Sequence, residues 1–453
     1  MKKNLLSVLV SAALVAACLT GCNSGKEAPG TGSDPAAEKV TEKAETSEKT
    51  AEAAPSGETK KLVFWDKAEY VGEYAALMKD MVDKFSKEKN VQVDYVNVAS
   101  SDMKQKLMAA IEACNAPDLI VGDNTLVGQF GSLNQLAEVG DIMSEFKFTD
   151  AAMKVGLMNG KQYMVPLAFL APGMYVRKDV WDKAGLGMPK TWEELKEQAA
   201  KVNDPKNGFY ALGFAMGASG GGDAEGFVRT IILDWGGKTV DENGTVVVNS
   251  PETVKAFEFI KSLYQDGLIS PDAVTGDDSW NNQAYLSGTA GVVCNSGSVI
   301  ASMKKDNPEL LDNTQVIPYP AGPGGDTYVL GGSNTFGIIS SGANTESAKD
   351  FIRYYFSDLD NYEAMIEIMG AMWQPVIEGF DQSEFWQAPT NKPWLESSQL
   401  TVNTYYPAPS DDKAMTSFSN QLCVKAVQNM LVNGASPEEA VAGLEKSLKE
   451  VYK

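Results

Sequence analysis

The 453-residue chain contains no histidine. That removes Ser-His-Asp and Cys-His catalysis, HExxH zinc sites and every imidazole general base. Arginine is nearly as scarce, limited to Arg177, Arg229 and Arg353, so bidentate clamps on phosphates or carboxylates are few. Nucleotide loops are missing too. Gly237-Lys238-Thr239 looks like the end of a phosphate loop, but Ile232 stands where its first glycine belongs, and no G-x-G-x-x-G follows a strand. Basic charge is short overall: 39 Lys+Arg against 60 Asp+Glu leave −21, the opposite of a nucleic-acid surface. Only Cys114, Cys294 and Cys423 lie beyond the first 22 residues. Their wide spacing and odd number give no disulfide framework or metal site and read as buried free thiols. Composition leaves open one kind of chemistry, a pair of carboxylates brought together by folding.

Long apolar runs are confined to the start. Lys2 and Lys3 precede the stretch Leu5 to Leu19, too short and interrupted for a stable span and suited to a secretory signal. It ends in Leu19-Thr20-Gly21-Cys22, which resembles a bacterial lipobox; the resemblance implies lipidation of Cys22 after removal of residues 1–21. Val15-Ala16-Ala17-Cys18 fits the same box more loosely. Residues 23–60 contain a single branched aliphatic, Val40, and no aromatic, so they cannot bury enough surface to offset ordering entropy. As a flexible coil their ends would lie about 35 Å apart. Residues 22–60 therefore read as a lipidated cysteine with a disordered tether, and 61–453 as the folded body.

In that body, Lys61–Trp65 suits a buried strand, and Tyr74, Leu77, Met78, Met81, Val82 and Phe85 mark one helix face. Val91, Val93 and Tyr95 alternate as a strand, Leu107, Met108 and Ile111 mark a helix, and Asp118–Val121 forms a third strand. The rhythm predicts an α/β fold with a parallel sheet covered on both faces, whose ligands sit beyond the carboxyl ends of the strands. Further on, Thr191 to Glu194 reads as a capping box, Asn243-Gly244 as a hairpin turn, and Ser250-Pro251-Glu252 as a helix start. The C-terminus is expected to be helical over 411–433 and again after Ser436.

The order of motifs resembles the family 1 extracellular solute-binding proteins, the maltose-binding-like group. The carriers are Gly160–Tyr163 with Val165-Pro166, Tyr175–Asp179, Gly185-Leu186 with Pro189–Leu195, Trp235–Gly237, the Asn243 hairpin with its following helix, and Trp280 ahead of Leu286–Ala290. The resemblance implies a two-lobed periplasmic-binding fold, with lobe 1 formed by 61–168 plus 333–377 and lobe 2 by 169–332 plus 378–453. Crossings are expected near Pro166–Ala171, Leu330–Ser333 and Gln374–Glu378. It also implies a hinged cleft, a carbohydrate ligand, the permease subunits of an ABC importer as partners, and a monomer anchored by lipid on the extracytoplasmic face of a bacterial cell membrane. It implies no cofactor, no metal, no nucleic acid and no enzyme activity.

Sugars are held by aromatic stacking and by hydrogen bonds from Asp, Asn and Glu. The expected ligand-binding residues are Trp65 and Tyr70 after the first strand, and Asp123 and Asn124 after the third. Glu225, Phe227 and Trp280 belong to the second lobe, and Asn334, Trp373 and Tyr406 lie at or beyond the later crossings. Asp66, Glu69, Asn295 and Ser298 are weaker candidates, and Trp235 reads as core. Tyr405-Tyr406 resembles the paired phenolates of ferric-ion relatives, which the lack of histidine disfavours. Two alternatives stay open: the same fold holding a polyamine or other cation, and a surface-tethered carboxylate-based glycoside hydrolase.

Overall fold

A computed structural model describes residues 60–453 except Tyr70, Asn159 and Ser219–Gly221. The expected leader, Cys22, nearly all of the tether and Tyr70 therefore lie outside the described residues. Strand β1 (Lys60–Lys67) buries Leu62, Phe64 and Asp66 on one face, and helix α1 (Gly72–Lys89) lays Tyr74, Met78, Met81, Val82 and Phe85 over it. Asn90 ends that helix in the left-handed region (φ 53°) and turns the chain into β2 (Val91–Val98). After α2 (Ser100–Glu112) comes β3 (Leu119–Asp123), and β1 pairs in parallel with both β2 and β3. Phe351 meets Phe64 on one side and Phe85 on another, each with ring centroids 5.2 Å apart, each burial contributing about 1.5–3 kcal/mol.

Helix α3 (Asn124–Ser132) follows directly, its first turn capped by Asp123. The chain then runs through β4 (Val165–Leu170) into β5 (Gly173–Arg177), and these adjacent strands belong to different sheets. The second sheet adds β6 (Tyr210–Leu212), β7 (Ala290–Asn295) and β8 (Thr314–Ile317), in the order β8–β5–β7–β6. The return strand β9 (Val329–Ile338) lies antiparallel to β3 and β4, and β10 (Thr401–Asn403) pairs with its first residues. The β-α-β rhythm accounts for the parallel pairs. Strands arriving from the other sheet enter at the edge where their neighbours end, so β5 runs against β7, with Gly173 opposite Asn295.

Helices α4 (Asp223–Asp234), α5 (Pro251–Gln265) and α6 (Trp280–Leu286) cover the second sheet. Ser250 caps α5 through Thr253 N–H, while the hairpin expected around Asn243 reduces to one bridge, Val240 to Val246. The helix expected over 411–433 is two, α7 (Asp412–Ser419) and α8 (Leu422–Asn433), because Gln421 sits in the left-handed region at φ 53°. Trp235 packs against Phe259, rings 4.4 Å apart. Of the three thiols, Cys294 and Cys423 are buried and free, but Cys114 is exposed, because it follows the end of α2 at φ 54°.

Candidate functional site

At the carboxyl end of β1, Asp66 is fully buried beneath α1 and accepts hydrogen bonds from the hydroxyls of Tyr74 (3.1 Å) and Tyr95 (2.7 Å). Burial pushes its carboxyl up to about 7. Lys67, next along, pairs with Glu69 at 3.1 Å. Burial alone would lower the Lys67 ammonium, but the carboxylates of Glu69 and Asp123 more than offset it and hold the charge. Asn334, opposite Asp123 in the β9–β3 register, donates its amide to Glu69 Oε1 (2.9 Å). The side-chain oxygen of Asn334 is buried and has no partner. In water that oxygen would be hydrated, so leaving it bare costs about 1–3 kcal/mol unless something arrives to satisfy it.

The second lobe presents a different set. Gly222 precedes α4, which Asp223 opens. Its Oδ2 accepts from the amides of Asn281 (2.9 Å) and Asn295 (3.1 Å). Burial, with Asp278 adding to it, raises the Asp223 carboxyl to about 7. Asn295 ends β7, and its oxygen takes the backbone N–H of Ser296 (2.7 Å) and the hydroxyl of Ser298 (3.2 Å). One turn into α4, Phe227 stacks on Phe214 at 4.5 Å. These residues, with Pro172 and Leu330 from the crossing strands, bound a small cavity of about 60 Å³.

A much larger space, about 780 Å³, opens beside them. It is lined by Val71 just past β1, by Gly297 and Ile300 just past β7, and by Met369, Met372 and Phe385. Both polar sets thus stand at strand carboxyl ends, the edge where an α/β sheet offers its ligand site. The large space has polar groups of its own, among them Lys178, Lys304, Asp312 and Glu367, and the two strand-end sets lie outside its lining.

Of the expected site residues, the structure brings Asp123 and Asn334 together with Lys67 and Glu69, and Phe227 together with Asp223, Asn281 and Asn295. Others fall elsewhere. Trp65 lies inside β1, between Val96 and Ile120, and packs on the Met103–Leu107 cluster. Asn124 spends its oxygen on the backbone N–H of Ser333 (3.0 Å). Glu225 is fully buried against Arg229 at 2.7 Å. Trp280 donates to Asp272 (3.2 Å) and lines a groove along edge strand β6. Trp373 is fully buried edge-on to Tyr74 at 5.0 Å, with its indole N–H unpartnered. Tyr406 stacks on Tyr328 in a separate cavity, and Tyr405 is buried with its hydroxyl on Thr125 (3.0 Å). Sequence reasoning missed Lys67, Asp223, Asn281 and Phe385; an acid directly behind a glycine run and ahead of an apolar helix was a usable signal for Asp223.

Comparison with known proteins gives a consistent picture. Residues 68–359 match the family described as bacterial extracellular solute-binding protein. A chain from Brucella abortus (strain 2308), named as a binding protein, is 26% identical over 315 residues, covering 68% of this chain and 74% of that one. The arabinooligosaccharide-binding protein of Bacillus subtilis (strain 168) is 24% identical over 332 residues, covering 70% and 73%. Among solved structures, the sugar-binding protein MalE from Xanthomonas citri superposes with a TM-score of 0.74 at 19% identity, covering 87% of this chain and 97% of that one.

Proposed function

The chain belongs to the bacterial extracellular solute-binding protein family, and on that premise we propose that it captures a neutral oligosaccharide between its lobes and hands it to an ABC import permease. The names of relatives support the ligand class, since one binds arabinooligosaccharides and another, from Pyrococcus abyssi, is a maltotriose-binding protein. The observation that carries the reading is the buried, unpartnered oxygen of Asn334 beside Glu69 at the strand ends. A sugar hydroxyl donates to one such oxygen while accepting from Lys67. The space of about 780 Å³ suits several sugar rings rather than one.

Charge balance favours a neutral ligand over a polyamine. Glu69 is already paired with Lys67, and Asp223 titrates near neutrality. Delivery needs lobe motion, for which we take residues 61–168 with 333–377 as one body and 169–332 with 378–453 as the other, pivoting on β4–β5 and β9. Lipidation of Cys22 would keep such a monomeric receptor beside its permease at the membrane. Binding and release without covalent chemistry are sufficient for this role.

A thermal-shift and calorimetric screen against arabino-oligosaccharides, maltodextrins and spermidine tests the reading. A ligand at a hundred times its dissociation constant should add about 2.7 kcal/mol. Stabilisation by one sugar family without product formation supports the receptor. Stabilisation by spermidine alone keeps the family and replaces the ligand, and sugar cleavage on incubation makes it an enzyme.

A further inference from the structure

A groove of about 400 Å³ runs along the edge of the second sheet, wholly within residues 208–290. Tyr210 and Leu212 of β6 line it, with Ala290 at the start of β7 and Trp280 and Gln283 from α6. It shares no lining residue with the strand-end sets or with the large space beside them. One lobe supplies all of it, so motion between lobes plays no part.

Its side chains have one kind of hydrogen bond left to offer. The Trp280 N–H is spent on Asp272 Oδ2 (3.2 Å) and the Ser270 hydroxyl on Asp272 Oδ1. Gln283 gives its amide to the Ser279 hydroxyl (2.7 Å). The hydroxyls of Ser287 (3.3 Å) and Thr289 (3.0 Å) both reach the carbonyl of Ala284 and lie 3.1 Å from each other, so both protons are engaged. Apart from the Tyr210 hydroxyl, the polar side chains among the described residues of the lining therefore present acceptors alone: the Asp272 carboxylate, Gln283 Oε1 and two hydroxyl oxygens. A sugar needs donors and acceptors in turn. An ammonium needs acceptors and a negative charge.

The charge is present. Among the described residues of the lining, Asp272 is the one that bears a charge. Burial works against it, yet the hydrogen bonds from Ser270 and Trp280 hold its carboxyl below the usual range. The indole is fixed as well: its N–H is held by Asp272, and a side chain at Gly276 would come within 2.5 Å of its Cγ, so glycine backbone lies against it. A cation beside an aromatic face gains further attraction. We infer that this groove is a binding site for a primary alkylammonium, with its charge at Asp272, its N–H groups on the acceptor oxygens and its hydrocarbon part against Trp280. The site is independent of the oligosaccharide reading.

The probe is cyclohexylammonium, titrated calorimetrically into the purified protein at neutral pH, with cyclohexanol as its uncharged counterpart of the same shape. Saturable binding of the ammonium at one site is expected, and none of cyclohexanol. Asp272→Asn should weaken it about tenfold or more and Gln283→Leu about threefold, and Trp280→Ala about fivefold. Asp272 and Gln283 are exposed, so those two variants keep the test valid if Trp280→Ala fails to fold. In indole N–H NMR spectra, the resonance missing from Trp280→Phe should move on titration of the unaltered chain, while those of the other tryptophans stay. No saturable binding at millimolar ammonium, or equal binding of cyclohexanol, overturns the site. Binding that survives both Asp272→Asn and Gln283→Leu, or is lost in Glu69→Gln, puts the ammonium elsewhere and ends the inference. Failure of every oligosaccharide to bind leaves this test intact, and its failure leaves the oligosaccharide reading untouched.

Discussion

Each lobe contains an acid–cation pair, and the two are built to opposite ends. In the second lobe, Glu225 and Arg229 are enclosed with side chains 0% and 5% exposed. Both Glu225 oxygens are occupied, since Oε1 takes Arg229 Nε (2.7 Å) and the N–H of Cys423 (3.3 Å) while Oε2 takes the N–H of Val424 (2.9 Å). That carboxylate fastens the start of α8 to α4, with the helix dipole in its favour. In the first lobe, Lys67 and Asn334 both meet Glu69 through the same oxygen, Oε1. Among the described residues Oε2 accepts no hydrogen bond. An acid at a helix start near the lobe boundary is therefore a poor guide by itself; a ligand group is one with an oxygen left over.

The comparison breaks most visibly at Arg229. Arg229→Met strands a buried carboxylate and should lower stability by roughly 3–5 kcal/mol. It also removes the contact with Ser417 (3.2 Å) and the stacking over Phe418. Urea unfolding measures this, and Glu225→Leu added to Arg229→Met should recover much of the loss. The folded fraction should keep its oligosaccharide affinity. Glu69→Gln should act chiefly on binding: affinity lower by roughly 10–100-fold, from a charged hydrogen bond of about 1.5–3 kcal/mol, with a stability loss smaller than that of Arg229→Met because Asp123 still faces the buried Lys67 ammonium. Similar stability losses in both variants, with affinity untouched, would erase the distinction.

The same contrast explains what the sequence made legible. Periodicity found the Tyr74–Phe85 face of α1 and the first three strands, because burial on one face imposes its spacing directly. Between β4 and β5, inside one of the expected crossings, the chain passes from one sheet to the other. Side-chain partners were another matter. Glu225 differs from Asp223 two residues earlier by Arg229 one turn on and by the α8 backbone nearly 200 residues away, and only the first is visible in the local sequence. Trp65 looked like a strand-end aromatic because β1 was read as ending there, but the strand runs on to Lys67. Trp373 was expected near a return between lobes as a ligand-facing group, yet α1 supplies Tyr74 to cover it.

Protons sharpen the comparison further, with smaller effects. Burial pushes Asp66 in the first lobe and Asp223 and Asp234 in the second up to about 7. Their unfolded carboxyls titrate near the ordinary value of about 4. Between those limits the folded chain holds more protons than the unfolded one, so stability is fully present below about 4 and is lost as pH rises through 7. The melting temperature should therefore fall between pH 5 and pH 8, each group contributing on the order of 1 kcal/mol. Asp66→Asn and Asp234→Asn should each flatten part of that slope. Ligand affinity should move the other way, because Asp223 accepts sugar hydroxyls best when ionised. It should rise between pH 6 and pH 8 by up to about tenfold, the range one titrating carboxyl spans. Asp223→Asn should remove the affinity slope, whereas Asp66→Asn, buried under Tyr74 and Tyr95 and out of ligand reach, should leave it. If Asp66→Asn flattened the affinity curve as well, the buried carboxylate of the first lobe would have to be coupled to the cleft through Lys67, and the two lobes would no longer divide stability from binding as their ion pairs suggest.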